Sequence, residues 1–78
     1  MQMQRVTTLP TREQWLAQLF GAQAVAKGGV VRRATRDVDR MIGRDAFKRE
    51  VRLRGFHLVE CGGQMIVICN AGQLTVLV

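Results

Sequence analysis

Arginine and lysine are the most abundant chemistry-bearing residues of this 78-residue chain. Twelve of them stand against six acidic residues, which gives a net charge of +6, and nine of the twelve lie between Arg32 and Arg54. Arginine outnumbers lysine, and its planar guanidinium can bind a phosphate, or the O6/N7 edge of guanine, through two parallel hydrogen bonds. The local excess of positive charge therefore predicts an anionic partner.

The segment 44–54 (RDAFKREVRLR) has the pattern of an amphipathic helix. At 100° per residue, Arg44, Lys48 and Arg52 share one face and Arg49 lies beside them. Glu50 falls near the apolar side, and Arg54 one turn later is its expected partner. We predict that the other side packs on the core through Ala46, Phe47, Val51 and Leu53.

Four further arginines are expected to add phosphate contacts to those of this helix: Arg32, Arg33, Arg36 and Arg40. The competing interpretation is a solvated surface on which Asp37, Asp45 and Glu50 neutralise the arginines in local ion pairs. Exposed pairs of that kind contribute about 0–1 kcal/mol and need no function.

Catalytic chemistry has little to draw on. His57 is the only histidine and tyrosine is absent, so acid–base catalysis would rest on one imidazole or an unusual carboxylate. Cys61 and Cys69 are expected at opposite ends and on opposite faces of one hairpin, where they can share neither a disulfide nor a metal. We therefore expect a protein that is not an enzyme, with no catalytic residues, no metal and no cofactor.

Length and composition favour one small globular domain. Of the residues, 47% are hydrophobic and 23% charged, values typical of soluble proteins. We predict an N-terminal arm, 1–10, followed by a single α+β domain, 11–78. Two cysteines are too few for a secreted disulfide framework, and the longest apolar run is too short to cross a bilayer. The expected location is the cytoplasm, with no membrane contact.

The helices are indicated by their caps. Thr11 and Gln14 form a capping-box pattern that opens a helix over 12–27, ended by Gly28 and Gly29. Val30 and Val31 predict a short strand. Thr35 is the expected N-cap of a second helix, 36–42, which a tight turn at Gly43 separates from the third.

After Gly55 the apolar period changes from 3.6 to 2, which predicts a three-stranded antiparallel meander over 56–61, 64–70 and 73–78. Gly62-Gly63 and Ala71-Gly72 are the expected two-residue loops. With those loops the register follows: Leu58 opposes Val67, which opposes Val76, and Val59 opposes Ile66, which opposes Leu77.

Both faces of this predicted sheet are apolar. One face packs on the helices and carries Phe56, Leu58, Met65, Val67, Cys69, Leu74, Val76 and Val78. The second face is expected to be covered by the first helix, a second copy of the chain or a partner protein. We predict a homodimer through the first helix, with Trp15 and Leu19, or through the second face, with His57, Val59, Ile66, Ile68 and Leu77.

The order helix, short strand, helix, tight turn, helix, hairpin over about residues 12–70 resembles the winged-helix family, a helix-turn-helix variant. The resemblance implies that helix 44–54 is the recognition helix, that Cys61-Gly62-Gly63-Gln64 is the wing tip, and that the partner is duplex DNA. The alternative is a protein-binding inhibitor or adaptor, such as a phage-type anti-CRISPR, that sets the same cationic surface against an acidic protein.

The stretches GGVVRR, GFHLVE and GQMIVICN resemble short bacterial proteins of uncharacterised role, some of which carry the name phosphoribosylanthranilate isomerase. That enzyme is an eightfold barrel of at least about 200 residues. A chain of 78 residues cannot form such a barrel, so the resemblance implies no isomerase activity.

Overall fold

The computed structural model describes residues 11–78, and the predicted N-terminal arm, 1–10, lies outside the described residues. Within them the fold is α+β, with four helices and one three-stranded antiparallel sheet. The elements in chain order are α1 (Arg12–Phe20), α2 (Gln23–Ala26), β1 (Val30–Ala34), α3 (Thr35–Met41), α4 (Arg44–Leu53), β2 (His57–Cys61) and β3 (Gln64–Ile68).

The predicted helix 12–27 is wrong in one respect, because it is two helices. The Thr11–Gln14 capping box is present as expected, but α1 ends at Gly21, where the chain folds tightly against the preceding turn. A Cβ at Gly21 would lie 2.7 Å from the carbonyl oxygen of Ala17. Ala22 is extended and α2 begins after it. The break redirects the chain so that the side chains of both helices pack against the core.

The second predicted helix begins one residue earlier than expected. Ala34, not Thr35, is the N-cap of α3, and it makes no side-chain cap hydrogen bond. The Thr35 hydroxyl is used elsewhere, since it donates to Glu60 at 3.1 Å. The tight turn between α3 and α4 is as predicted, with Gly43 at φ +92°, in the region that favours glycine.

The sheet is not the predicted C-terminal meander. Its strand order is β1-β3-β2. The hairpin register is confirmed, because Leu58 opposes Val67 and Val59 opposes Ile66. On the other edge of β3, however, Val67 opposes Val31 and not Val76. The predicted short strand at Val30 and Val31 thus exists, is five residues long, and occupies the position assigned to the third strand.

Residues Gln73–Val78, called the exposed segment below, form no strand. Its large apolar side chains project into solvent instead of lying on either sheet face: the exposed fraction is 43% for Leu74, 80% for Val76, 91% for Leu77 and at the fully exposed limit for Val78. The predicted core positions of Leu74, Val76 and Val78, and the strand position of Leu77, are therefore wrong.

One cluster of buried side chains holds the helices against the sheet, namely Leu19, Val31, Val38, Phe47, Val51, Met65, Val67 and Cys69. Phe47 is fully buried, with Trp15 edge-on to its ring at 5.8 Å and Phe20 tilted against it at 6.4 Å. Leu53, predicted on the packed side of α4, is 80% exposed. Residues two apart on a helix point about 200° away from each other, so Val51 and Leu53 cannot both face the core.

Candidate nucleic-acid interface

The rotation of α4 is fixed by its two buried side chains, Phe47 and Val51. With those two turned inward, Lys48, Arg49 and Arg52 are exposed. None of the three forms an ion pair with any other residue of the described range 11–78. We call these three residues the cationic face of α4. It is the part of the predicted basic ridge that is exposed and unpaired among residues 11–78.

Arg44, the fourth residue of the predicted ridge, is paired. Its guanidinium donates two hydrogen bonds to the Glu60 carboxylate, at 2.8 and 3.1 Å. The hydrogen bond from Arg44, with a further one from Thr35, lowers the pKa of Glu60 from its ordinary value. The same contact raises the pKa of Arg44. The cluster ties the first turn of α4 and the start of α3 to strand β2.

A groove of about 490 Å³ runs between α4 and β2. Arg44, Lys48 and Arg52 line it on the helix side, and residues 56–60 line it on the strand side. The buried side chains of Val51 and Met65 contribute to the same lining. The positive charge of α4 is therefore arranged along a concave surface next to the hairpin, with Arg49 outside that groove.

The remaining predicted phosphate ligands form a separate set. Arg32 and Arg33 lie on β1, which is the opposite edge strand of the sheet from β2. Arg36 and Arg40 lie on α3, and Arg40 pairs with Asp37 at 3.1 Å. The structure thus does not bring all eight predicted residues together: three face solvent on α4, one is paired to Glu60, and four lie on β1 and α3.

Arg54 is engaged with its own helix and does not add to the cationic face. Its predicted pairing with Glu50 is confirmed, at 2.9 Å. The guanidinium also lies 3.7 Å above the centre of the Phe20 ring. A cation over an aromatic face is stabilised by the ring quadrupole. Arg54 therefore fastens the end of α4 to α1.

The predicted interface residues divide into two groups. Leu19 is fully buried and cannot reach a partner, and Trp15 is half-buried against Phe47. The side chains of the second sheet face remain half-buried: His57, Val59, Ile66 and Ile68. By register, β1 adds Val30 and Arg32 to this face. Leu77 is not on it.

His57 has a structural contact. Its Nε2 donates to the carbonyl oxygen of Gly72 at 2.5 Å, since a carbonyl can only accept. Asn70 donates to the Gly28 carbonyl at 3.1 Å and accepts from the Gly72 amide at 2.9 Å. These contacts fix residues 70–72 at the end of the sheet, and the exposed segment starts from there.

Glu60 is the residue that the sequence interpretation missed. It lies outside the basic segment 32–54, and its partners are far from it in the sequence. Glu60 has the same strand parity as Leu58, which places its carboxylate on the core-facing side of β2. A carboxylate in that position needs a cation or a hydroxyl from the packed helices. The position of Glu60 in the strand was therefore the signal that residues of the packed helices, here Arg44 and Thr35, donate to its carboxylate.

Residues 11–78 contain no metal-ligand cluster, no paired cysteines and no helix that could span a membrane. No group of three or more histidine, cysteine, aspartate or glutamate side chains there could hold a metal ion. Cys61 is exposed and Cys69 buried, and both are free. Burial raises the pKa of the Cys69 thiol. None of the helices in residues 11–78 is long and apolar enough to cross a membrane.

The site therefore stands on its geometry alone. Comparison with known proteins gave no significant match, whether to a family model, a curated protein or a solved structure.

Proposed function

We propose that this protein binds duplex DNA through the cationic face of α4. The observation that carries the proposal is the set of three exposed basic side chains, Lys48, Arg49 and Arg52, on a helix whose opposite side is locked into the core by Phe47 and Val51. An α-helix with its side chains is about 10–12 Å in diameter and therefore fits a major groove about 12 Å wide. With ten residues, α4 is about 15 Å long.

The order of the elements supports a winged-helix arrangement. Two helices, α3 and α4, are joined by a two-residue turn, a strand precedes them and a hairpin follows. The first strand, β1, pairs with the last, β3, so the strand before the two helices and the hairpin after them lie in one sheet. In that family the second helix of the pair enters the major groove. Here that helix is α4, and the hairpin β2–β3 is the wing.

The Arg44–Glu60 pair has a positioning role in this proposal. Two parallel hydrogen bonds between a guanidinium and a carboxylate fix both the distance and the orientation of the groups they join. The pair therefore holds the wing strand against the start of the recognition helix. Base and phosphate contacts are made by Lys48, Arg49 and Arg52. On the neighbouring α3, Arg36 is an additional phosphate ligand, and Arg40 becomes one when it exchanges its exposed pair with Asp37 for a phosphate.

The test is a fluorescence anisotropy titration of a labelled random-sequence duplex at 50 mM salt. The chain should bind, and a variant carrying Lys48→Gln, Arg49→Gln and Arg52→Gln should bind far more weakly, because each lost phosphate contact weakens binding to every sequence. Lys27→Gln is the matched control, since Lys27 is exposed at the end of α2. Equal affinity of the triple variant and the chain would remove α4 as the DNA-binding element.

A second candidate function is binding to an acidic protein surface, as an inhibitor or adaptor such as an anti-CRISPR. The observation that favours it is Leu53, a large apolar side chain 80% exposed on α4, close to Arg49 and Arg52. Apolar anchors flanked by arginine are enriched in protein interfaces. A pull-down from nuclease-treated lysate separates the two: a partner that survives nuclease and is lost in Leu53→Ser supports the protein-binding function.

A further inference from the structure

The six residues of the exposed segment have a strand-like sequence but pair with no strand of residues 11–78. Gln73–Val78 (QLTVLV) is uncharged and rich in β-branched and aliphatic residues, the composition typical of strands. Within the described range, its backbone groups take part in no hydrogen bond. Its apolar side chains are among the most exposed of the chain.

In the described part of the chain, β1 forms an edge of the sheet to which such a segment could add. The amide of Cys69 donates to the Gly29 carbonyl at 2.8 Å, and the amide of Thr35 donates to the Gly63 carbonyl at 2.8 Å. Both bonds continue the β1–β3 register. Hydrogen-bonded pairs recur at every second residue of an antiparallel ladder, so Val31 and Arg33 face β3 with their backbone groups. The backbone groups of Val30 and Arg32 then point outward, away from the sheet.

Two observations agree with this assignment. In the sheet of residues 11–78, β1 is an edge strand with β3 as its one neighbour, and the Val30 and Arg32 amides donate to no turn or loop of that range. The Arg32 carbonyl points away from β3 by the same register and accepts from the side chain of its neighbour Arg33, at 2.7 Å. The Val30 side chain is 51% exposed. An edge with unpaired amides and apolar side chains beside it is a template for another strand.

Within one copy the exposed segment does not reach this edge. Asn70 and Gly72 are fixed by their hydrogen bonds to Gly28 and His57, and from there Gln73–Val78 extends into solvent. Among residues 11–78 there are thus a strand-like segment and a sheet edge, neither paired with the other or with any third strand, and of about the same length: six residues in the segment and five in β1. In a dimer, the segment of each copy can pair with β1 of the other, and a single two-fold axis relates the two pairings.

The charge distribution allows a second copy to bind through the exposed segment. Two chains with a net charge of +6 repel each other, and most of that charge lies between Arg32 and Arg54. The exposed segment carries no charge, so it can approach another copy without bringing the two cationic faces of α4 together. On β1 only Arg32 and Arg33 are charged, and Arg32 projects on the second sheet face by register.

We propose that the exposed segment of each copy adds as a strand to the outer edge of β1 in a second copy. The exchange makes a two-fold dimer with two continuous four-stranded sheets. The apolar side chains of the added strand extend the row formed by Val30 and Ile68 on the second face. The proposal goes beyond DNA binding and does not depend on it.

The first test is sedimentation equilibrium of the full chain, without nucleic acid, over a concentration series. The chain should be a dimer that dissociates on dilution. A variant ending at Gly72 should be a monomer, and Val76→Lys should weaken the dimer by more than about tenfold, because it buries a lysine. Leu53→Lys is the matched control: its side chain is also 80% exposed, and the dimer constant should change by less than about twofold.

The folded state of each variant is checked by its circular dichroism spectrum at low concentration, where all chains are monomers. Val76 is 80% exposed, so its replacement should leave that spectrum unchanged. A chain that stays monomeric at all concentrations, or a dimer that persists in the variant ending at Gly72, would overturn the proposal.

The second test is amide hydrogen exchange read by NMR at dimeric concentration. The Val30 and Arg32 amides should be protected in the full chain and exchange freely in the variant ending at Gly72. The Val31 and Arg33 amides, which face β3, should be protected in both and serve as the internal control. A dimer in which the Val30 and Arg32 amides exchange freely would contradict the assignment of the exposed segment to the β1 edge.

Discussion

The β2–β3 hairpin and the exposed segment have similar sequences, but only the hairpin lies in the sheet. Both have apolar side chains in alternation, and β3 and the predicted strand 73–78 each follow a predicted two-residue loop. The loops differ in backbone geometry. Gly62 and Gly63 have φ of +59° and +77°, as the type I′ turn of a hairpin requires. Gly72 is not among the described glycines with positive φ, so the Ala71-Gly72 loop does not reverse the chain in that way.

Competition for β3 is the second difference. The edge of β3 that does not pair with β2 pairs with β1. Val31 of β1 is 6% exposed, and β1 leads directly into α3, whose Val38 is fully buried. Pairing with β1 therefore joins the sheet to the helices through the core, whereas pairing with Gln73–Val78 would add only a strand. Alternation shows that a segment can pair, and anchoring in the core decides which segment does.

The largest expected difference between the two regions is the loss of stability when a large apolar side chain is truncated. Met65→Ala, in β3, should lower the free energy of unfolding by about 2–5 kcal/mol, because its side chain is 2% exposed and its loss leaves a cavity. Leu77→Ala, in the exposed segment, should change it by less than about 0.5 kcal/mol. Urea denaturation at low protein concentration measures both. A similar loss in the two variants would mean that the exposed segment is packed after all.

The loop geometry should have an intermediate effect. Gly63→Ala forces a Cβ into the left-handed region and should cost about 1–2 kcal/mol. Nothing lies within 4 Å of the added Cβ, so the cost is conformational and not a clash. Ala71→Gly is the control and should alter stability by less than about 0.5 kcal/mol. Thermal denaturation compares them, and an unaffected melting temperature for Gly63→Ala would refute the role given to the turn.

The smallest expected effect concerns the anchor of the hairpin to α4. The pKa of Glu60 is lowered in the folded state, so the unfolded chain binds more protons at this position. The stabilisation from Glu60 is therefore present above its ordinary pKa of 4.5 and is lost as the pH falls through the lower, folded-state pKa.

The measurement is urea denaturation of the chain and of Glu60→Gln between pH 7 and pH 2. The stability difference between them should be greatest at pH 7 and disappear at the acid end. A difference that is constant across this range would show that the carboxylate charge has no part in the contact. Arg44→Gln, alone and combined with Glu60→Gln, closes the double-mutant cycle for the pair.

Local signals in the sequence were sufficient for the hairpin, the capping box of α1, the turn at Gly43 and the exposure of Lys48, Arg49 and Arg52. Each depends on nearby residues: a hydroxyl cap, a glycine with positive φ, or the 100° spacing around one helix. The Leu58–Val67 and Val59–Ile66 register followed from the length of the Gly62-Gly63 loop alone.

Non-local choices were not predictable in the same way. Val30–Ala34 and Gln73–Val78 have comparable strand propensity, and only the packing of the whole chain decides which one lies beside β3. The partner of Arg44 is Glu60, 16 residues away and on another element. The end of α1 at Gly21 also depends on packing, since glycine inside a helix costs only about 1 kcal/mol and is often tolerated.

The proposed DNA binding by the cationic face of α4 is tested most directly by the salt dependence of duplex binding. Anisotropy titrations from 50 to 200 mM salt should give a linear plot of log K against log salt concentration. Neutralising Lys48, Arg49 and Arg52 together should reduce its slope by about 3, close to one per phosphate contact. The Lys27→Gln control should keep the full slope. A slope that the triple variant leaves unchanged, or the absence of any binding at 50 mM salt, would contradict the central claim.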